Sequence, residues 1–286
     1  MKRTPYIYIV WLLSLSVVLP AYATVEEVPQ RDTVTAVSVP EDTLYLIQPM
    51  RCFRREGGLL HGWLFTAGAG VQIGGMTPTP MPRAIRKIEQ YNPLLCLSLE
   101  LQARKFFDNS SRWSASIGLR LEQKGMKTDA SVKGYHMEMT ADDGGYMEGH
   151  WTGRVKTHVR NSYLTMPLLL HYRMSSRWSV HAGPYVSLLL DGDFDGEAYD
   201  GYLRHHDPTG EKAYVTHATY DFGKDLRRWT WGIQAGTTCL LMPHLEATAQ
   251  LTYGFNDIFP AHFHSVTFAL HPIYARIGLN YMFYTP

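Results

Sequence analysis

Apolar and polar residues alternate strictly over 244–255 (HLEATAQLTYGF), and this pattern constrains the fold more than any other feature of the chain. Successive side chains of a β-strand leave opposite faces of the sheet, so the alternation predicts a strand with two different environments. The pattern recurs in eight segments, which span 60–73, 94–103, 112–122, 163–173, 177–190, 228–241, 244–255 and 273–284. No segment has the apolar spacing of an amphipathic helix, and the sequence therefore predicts an all-β fold.

The connections between these segments alternate between short and long. Short turns are expected at 104–111, 174–176 and 242–243, whereas the other connections are much longer. This order predicts an up-and-down meander with its long connections at one end and both termini at the other. Further alternation in SVKGYHMEMT (131–140) and GRVKTHVRNS (153–162) predicts hairpins that rise above the main barrel.

The two faces of the predicted strands differ in a way that identifies their surroundings. One face is apolar and uncharged in every segment, as at Leu95, Leu97 and Leu99. The other carries Gly, Ser, Arg and Glu but no Lys, although the outside of a soluble barrel should be rich in Lys and Glu. The apolar face is therefore predicted to contact lipid. Because an open sheet edge is costly in lipid, the fold class is an eight-stranded antiparallel up-and-down transmembrane β-barrel with long extracellular loops.

Aromatic side chains cluster near both ends of the apolar band, as they do at the two interfaces of a bilayer. The predicted girdle residues are Trp113, Tyr172, Trp178, Trp229, Trp231, Tyr253, Phe255, Tyr281 and Phe283. A soluble barrel would have no reason to carry two such rings.

The N-terminus has the organisation of a secretory signal peptide over 1–23. Lys2 and Arg3 precede an apolar run that is too short to span a bilayer, and the small-residue site Ala21-Tyr22-Ala23 follows it. Residues 24–58 have scattered Pro and mixed charges and are interpreted as a periplasmic tail or linker, which leaves 59–286 for the barrel. The expected location is the outer membrane of a Gram-negative cell, with both termini in the periplasm.

The charge balance argues against a nucleic-acid partner, and the cysteines argue against a disulfide framework and a zinc site. The chain has 27 basic and 26 acidic residues, so nothing favours nucleic acid as a partner. Cys52, Cys96 and Cys239 are odd in number and widely spaced, which argues against a disulfide framework and against a zinc site.

Charged residues on the polar face are candidates for a site in the lumen. They are Glu100, Arg120, Glu122, Arg173, Glu246 and Arg276. Buried charges persist only when they are paired, so a structural ion-pair network that plugs the barrel is the favoured interpretation. A gated conduit or a proton-linked switch is the alternative.

The long connections contain histidine and acidic residues, which are the side chains that could bind a metal ion. The histidines there are His136, His150, His158, His205, His206, His217, His262, His264 and His271. His205-His206 with His262 and His264 could bind a transition metal or haem, but their spacing fits no ligand motif, so solvated loop residues are favoured. The segment 191–197 resembles a calcium loop but has Tyr202 where the bidentate Glu belongs, and it is interpreted as a flexible acidic loop. No metal and no cofactor are predicted.

No motif singles out a nucleophile or a general base, so the chain is not predicted to be an enzyme. Two alternatives stay open: a surface enzyme such as a protease or lipid hydrolase, and a soluble secreted ligand-binding barrel. Pro167 and Pro184 lie inside predicted strands, where each removes a ladder hydrogen bond, and local bulges are expected there.

Five segments in order resemble the PorT-like outer-membrane β-barrel family: RLEQKGMK (120–127), SYLTMPLLLHY (162–172), AGPYVSLLL (182–190), LTYGFNDI (251–258) and ARIGLNYMF (275–283). The resemblance implies an outer-membrane location, an eight-stranded barrel and outer-membrane lipid as a partner. It also implies an accessory role in protein secretion or assembly, through the extracellular loops or the periplasmic face, with other outer-membrane or secretion-apparatus proteins as partners.

Overall fold

The computed structural model describes residues 62–107, 112–141, 144–205, 209–263 and 265–283. Within these ranges lie ten strands: β1 (Trp63–Pro78), β2 (Ile85–Pro93), β3 (Cys96–Phe106), β4 (Trp113–Ala141), β5 (Tyr146–Arg173), β6 (Trp178–Arg204), β7 (Lys212–Asp221), β8 (Trp229–Met242), β9 (Leu245–Gly254) and β10 (Leu270–Phe283). The predicted signal peptide and tail lie outside the described residues, as do Cys52, His206 and His264. No helix in the described ranges has the length and apolar composition needed to cross a membrane.

Eight of these strands form a closed antiparallel ring. In order around the ring they are β1, β3, β4, β5, β6, β8, β9 and β10, and β10 pairs back onto β1. Each strand is adjacent in the ring to the next ring strand along the chain, so the topology is up-and-down. The predicted eight-stranded barrel is confirmed. The other two strands, β2 and β7, pair outside this ring.

Short turns lie at one end of the ring and the long connections at the other, as predicted. The turns join β3 to β4, β5 to β6 and β8 to β9, and β1 begins and β10 ends at the same end. At the opposite end, β4, β5 and β6 continue well past the barrel, with lengths of 29, 28 and 27 residues. The predicted bounds of these strands at 122, 163 and 190 were therefore wrong, whereas the predicted raised hairpins are confirmed, because β4 and β5 stay paired up to Thr140 and Tyr146.

The strand extensions reverse the polarity of their two faces. In the barrel part of β4, Leu119 and Leu121 face outward and are about half exposed, while Arg120 faces inward and is buried. Beyond Lys124 the inward residues are mostly apolar, beginning with buried Met126, and the outward residues are mostly polar, beginning with exposed Lys127. The barrel wall thus has apolar surroundings, and the extensions fold as a water-soluble sheet does, with their apolar face inside.

We call this raised part the lobe; it comprises β2, β7, the residues 126–141 of β4, 146–160 of β5 and 193–204 of β6, and the β9–β10 connection. β7 pairs with β6 along its length and with the tip of β4 through Thr140 and Ala141, so β4, β5, β6 and β7 form a second, smaller ring. The lobe has its own apolar core, which includes Met137, Met139, Trp151, Val159, Phe194, Leu203, Phe222 and Phe259.

The outer wall of the barrel is an apolar band. On β3, the side chains of Leu97, Leu99 and Leu101 are 61–64% exposed, while Ser98 and Glu100 between them are buried. A contiguous band of exposed leucines on a soluble protein would be an aggregation hazard, whereas lipid solvates it.

The two strand prolines cause no bulge, contrary to the sequence-based expectation. The β4–β5 ladder skips the pairs opposite Gly118 and Leu119, beside Pro167, and then resumes in the same register. The β5–β6 ladder likewise skips the pairs at Leu168 and Leu169, beside Pro184, without a shift. The missing N–H groups are therefore absorbed as gaps in the ladder. A shift of one residue would turn every apolar side chain into the lumen, so gaps are the less costly solution.

Candidate functional sites in the lumen and the lobe

An ion-pair cluster crosses the middle of the lumen. Arg120 is its hub: Nη2 lies 3.0 Å from Glu100 Oε1, and Nη1 lies 3.6 Å from Glu122 Oε2. Arg276 Nη1 lies 3.0 Å from the second oxygen of Glu100, and Lys124 Nζ lies 2.9 Å from Glu122 Oε1. All five side chains are buried. Pairing of this kind is what allows five charges to remain inside a barrel.

Hydrogen bonds between the charged groups and neutral residues hold the cluster in place. Arg276 Nε donates to Ser98 Oγ at 2.8 Å, Thr165 Oγ1 donates to Glu122 Oε1 at 2.7 Å, and Arg120 Nη1 donates to Gln234 Oε1 at 3.3 Å. These partners come from β3, β5 and β8. The cluster therefore connects strands on opposite sides of the ring through side chains.

The remaining two predicted lumen residues lie elsewhere. Glu246 forms a second pair with Arg104, whose Nη1 lies 3.3 Å from Glu246 Oε1, and both side chains are buried. Arg173 ends β5 opposite Ser179, where it lines a small recess of about 40 Å³ at the short-turn end.

Two cations were missed by the sequence analysis. Arg104 lies one residue past the predicted end of its strand, and Lys124 lies two residues past the end of another. Continuing the alternation by one step would have found both. Besides its ion pair with Glu122, Lys124 contacts three tyrosines. Its Nζ lies 5.2 to 5.7 Å from the ring centroids of Tyr163, Tyr185 and Tyr274. This cage closes the lumen where the apolar interior of the lobe begins.

A serine–histidine pair also lies in the lumen. Ser116 Oγ lies 2.7 Å from His171 Nε2, and both residues are buried. Nδ1 of His171 has no hydrogen-bond partner, and the ring next to it belongs to His181, at 5.2 Å between centroids. A catalytic triad needs an acid on that nitrogen to orient the imidazole, and the pair therefore does not have the geometry of a hydrolase site.

The predicted girdle residues fall at the two ends of the apolar band. Trp113, Trp178, Tyr281 and Phe283 lie at the short-turn end and are 45–49% exposed, and Tyr172 packs against Trp113 with ring centroids 4.8 Å apart. Trp229, Trp231 and Phe255 lie at the lobe end and are 45–59% exposed. Tyr253 packs against Phe255 there, at 5.7 Å. Their assignment to lipid interfaces stays a prediction.

The acidic segment 191–197 is part of β6, and its interpretation as a flexible loop was wrong. Asp195 and Glu197 lie directly opposite His158 and Lys156 of β5, at 3.4 Å and 4.0 Å, while Phe194, which precedes Asp195, is buried in the lobe core. Alternating acids on one strand against cations on the next stabilise the pairing of the two strands. Acid spacing of two residues is the spacing of a strand face as well as that of a calcium loop.

Within the described residues, which leave out His206 and His264, the loop histidines do not assemble into one site. His136 and His150 lie opposite each other on β4 and β5, with ring centroids 5.4 Å apart, and His136 Nε2 lies 3.5 Å from Glu148. Among the residues that the structure describes, no three His, Cys, Asp or Glu side chains are grouped so that they could hold a metal ion.

A closed eight-stranded ring with an apolar outer wall and a charged, cross-linked interior defines an outer-membrane β-barrel of the Gram-negative type. The chain belongs to the family described as the outer membrane protein beta-barrel domain, whose model matches residues 48–260. This family assignment is broader than the PorT-like resemblance, and the narrower one stays a prediction.

Several solved structures of bacterial surface and outer-membrane proteins are similar to this chain. Ail, the attachment invasion locus protein of Yersinia pestis, shares 10% identity over 77% of this chain and 99% of its own, with a TM-score of 0.35. Neisserial surface protein A shares 10% sequence identity over 78% of this chain and 97% of its own, with a TM-score of 0.33. The outer membrane protein OprG from Pseudomonas aeruginosa shares 11% sequence identity over 78% of this chain and 97% of its own, with a TM-score of 0.34. A search of curated protein sequences found no match.

Proposed function

We propose that the barrel is a non-conducting anchor and that the protein acts by binding, through the lobe at the cell surface. The carrying observation is the lumen itself. Five charged side chains from β3, β4 and β10 are buried and joined by ion pairs of 2.9 to 3.6 Å. Opening a water-filled path would require these pairs to separate, so the network acts as a structural plug. A gated conduit would need a second arrangement of the same charges, and the described residues show one arrangement.

The sidedness of the barrel is part of the proposal. Outer-membrane barrels have short periplasmic turns and longer extracellular loops, which supports a lobe outside the cell and both termini in the periplasm. The signal peptide predicted at 1–23 is consistent with export of the chain. Loops and extensions on a rigid scaffold are where binding functions usually lie.

An accessory role in protein secretion or assembly is the specific form of binding that the PorT-like resemblance suggests. Its partners would be other outer-membrane or secretion-apparatus proteins, with outer-membrane lipid around the barrel. The surface-enzyme alternative has less support, since the serine–histidine pair that the structure describes is buried in the lumen and lacks an acid.

Conductance of the purified barrel tests the plug. In planar lipid bilayers, the wild-type protein should give no stable unitary current, because the paired charges fill the lumen. The variant Glu100→Ser/Arg276→Ser removes a matched pair of opposite charges and should give measurable openings. A sustained, reproducible pore in the wild-type protein would show that the lumen conducts and would overturn the proposal.

Cysteine labelling on intact cells tests the sidedness. Lys133, in the lobe, and Ser176, in the β5–β6 turn, are both exposed. With a membrane-impermeant maleimide, Lys133→Cys should be labelled and Ser176→Cys should not, and the unsubstituted protein measures the background from its own cysteines. Lysed cells should label both variants, which controls for reactivity. The reverse pattern on intact cells would place the lobe in the periplasm.

A further inference from the structure

The lobe contains a partly open apolar cavity of about 110 Å³. Its walls come from the lobe ends of β1, β4, β5, β6 and β10, from β2 and β7, and from the β9–β10 connection. The side chains that shape it include Met126, Met137, Phe194, Phe222, Phe268 and Ile85. Buried hydrophobic residues are normally packed without voids larger than a water molecule, so a cavity of this size inside a continuous core needs an explanation.

Two of the polar groups on the cavity wall, the hydroxyls of Tyr220 and Thr157, are paired with each other. The Tyr220 hydroxyl lies 2.7 Å from Thr157 Oγ1 and donates to the backbone carbonyl of Lys156 at 2.8 Å. Burial raises the pKa of Tyr220 and of Tyr135 far above the ordinary value, so both phenols are neutral. A trapped water needs two to four polar partners, and a cavity whose wall is mostly apolar therefore favours an apolar guest over water.

We infer that the cavity is a binding site for a small apolar molecule, or for the apolar end of a larger one, about as large as a benzene ring. Apolar protein cavities of about 150 Å³ lined by Leu, Ile and Phe stay dry and bind benzene or xenon, which sets the scale for this one. Methionine side chains adapt their shape to a guest, so Met76, Met126 and Met137 on the wall would tolerate rings and short alkyl groups alike.

The cavity has a mouth at the edge of the lobe. Ile88 of β2 lines the cavity and is also 48% exposed to solvent. Next to it, β4 pairs with β2 only up to Val132 and with β7 only from Thr140 onward. Between these two residues, that edge of β4 has no strand partner in the described ranges, and Tyr135 and Met137 from this stretch line the cavity. A guest can therefore enter beside β2 without separating a paired strand.

This inference rests on the proposal that the lobe is the binding part of the protein, and it adds a class of ligand. Methyl NMR tests it, using the full chain in lipid nanodiscs with ¹³C-methyl methionine and benzene as the probe. The chain has 12 methionines. The methyl signals of Met76, Met126 and Met137 should shift saturably, while methionines outside the cavity should shift only weakly and linearly, as benzene partitions into lipid.

A matched pair of substitutions on β4 controls the experiment. Ala130 lines the cavity, and Ala130→Leu should fill it and weaken saturable binding at least tenfold. Ala115 lies on the outer wall of the barrel, and Ala115→Leu makes the same change there without affecting binding. Linear shifts of equal size at all wild-type methionines, or undiminished binding by a folded Ala130→Leu variant, would overturn the inference. The wild-type methyl pattern decides the question even if Ala130→Leu does not fold. Neither result alters the conductance or labelling outcomes, so the anchor proposal stands or fails separately.

Discussion

Replacing Arg120 with Met is expected to destabilise the barrel by about 3 kcal/mol, the lower end of the cost of removing one partner from a buried ion pair. Arg120 lies between Glu100 and Glu122, and its side chain is 1% exposed. Without it, Glu100 keeps Arg276 and Glu122 keeps Lys124, so neither carboxylate loses every cation. The expected loss therefore comes from the hub that joins the two pairs, together with its hydrogen bond to Gln234.

Urea unfolding in lipid vesicles, followed by the loss of the heat-modifiable band on gels, measures this change. Arg86→Met is the matched control, since Arg86 lies exposed on β2 and the same substitution there should shift the midpoint little. Adding Glu122→Gln to Arg120→Met should lower the midpoint further, because it leaves buried Lys124 without its carboxylate partner. A midpoint for Arg120→Met equal to that of Arg86→Met would mean that the cluster contributes nothing to stability.

The sequence predicts the barrel well where a strand lies wholly within the apolar band. The segment 244–255 corresponds to β9, Leu245–Gly254, and 94–103 to β3, Cys96–Phe106. In these strands, one face contacts the same surroundings from end to end. Alternation of period two then gives both the strand and the identity of each face.

The raised hairpins were predicted, but the bounds of the lobe strands and their continuity with the barrel were missed, because these strands change surroundings along their length. The alternation of β4 continues after Leu121, but the apolar residues move from the outer face to the inner one, and the single glycine-containing bulge at Gly134 shifts the phase again. A strand prediction that requires the apolar residues to stay on the outer face therefore ends where the barrel part of the strand ends. β2 shows no alternation at all, since nearly all of its side chains are exposed, and only its pairing with β4 makes it a strand.

The sequence could predict which charged residues face the lumen but not which of them pair with each other. Alternation identifies which residues point inward, and four of the six predicted residues lie in one cluster. Which carboxylate meets which cation depends on the register and tilt of the strands around the closed ring. Glu246 pairs with Arg104, which is 142 residues away in the chain, and no local pattern connects them.

Replacing Trp151 with Ala is expected to cost the lobe about 3–5 kcal/mol, the usual range for removing a large buried aromatic side chain. Trp151 is completely buried, and its indole N–H donates to the backbone carbonyl of Arg154 at 3.3 Å. Its ring lies over Gly153 and Gly201, where a Cβ at either position would overlap the indole. The two glycines beneath the ring have no side chain that could move in to fill the space, so part of the cavity would persist.

Because Trp151 belongs to the core of the lobe and not to the wall of the barrel, its loss should affect the two parts differently. Limited thermolysin digestion of Trp151→Ala in vesicles should cut within the lobe many times faster than in the wild-type protein, while the barrel keeps its heat-modifiable band. Tyr146→Ala removes an aromatic side chain from the same strand where it is 65% exposed, and it should leave digestion unchanged. If Trp151→Ala lowered the urea midpoint of the barrel itself by as much as Arg120→Met does, lobe and barrel would be one cooperative unit. If it changed neither digestion nor unfolding, the lobe would not depend on this core at all.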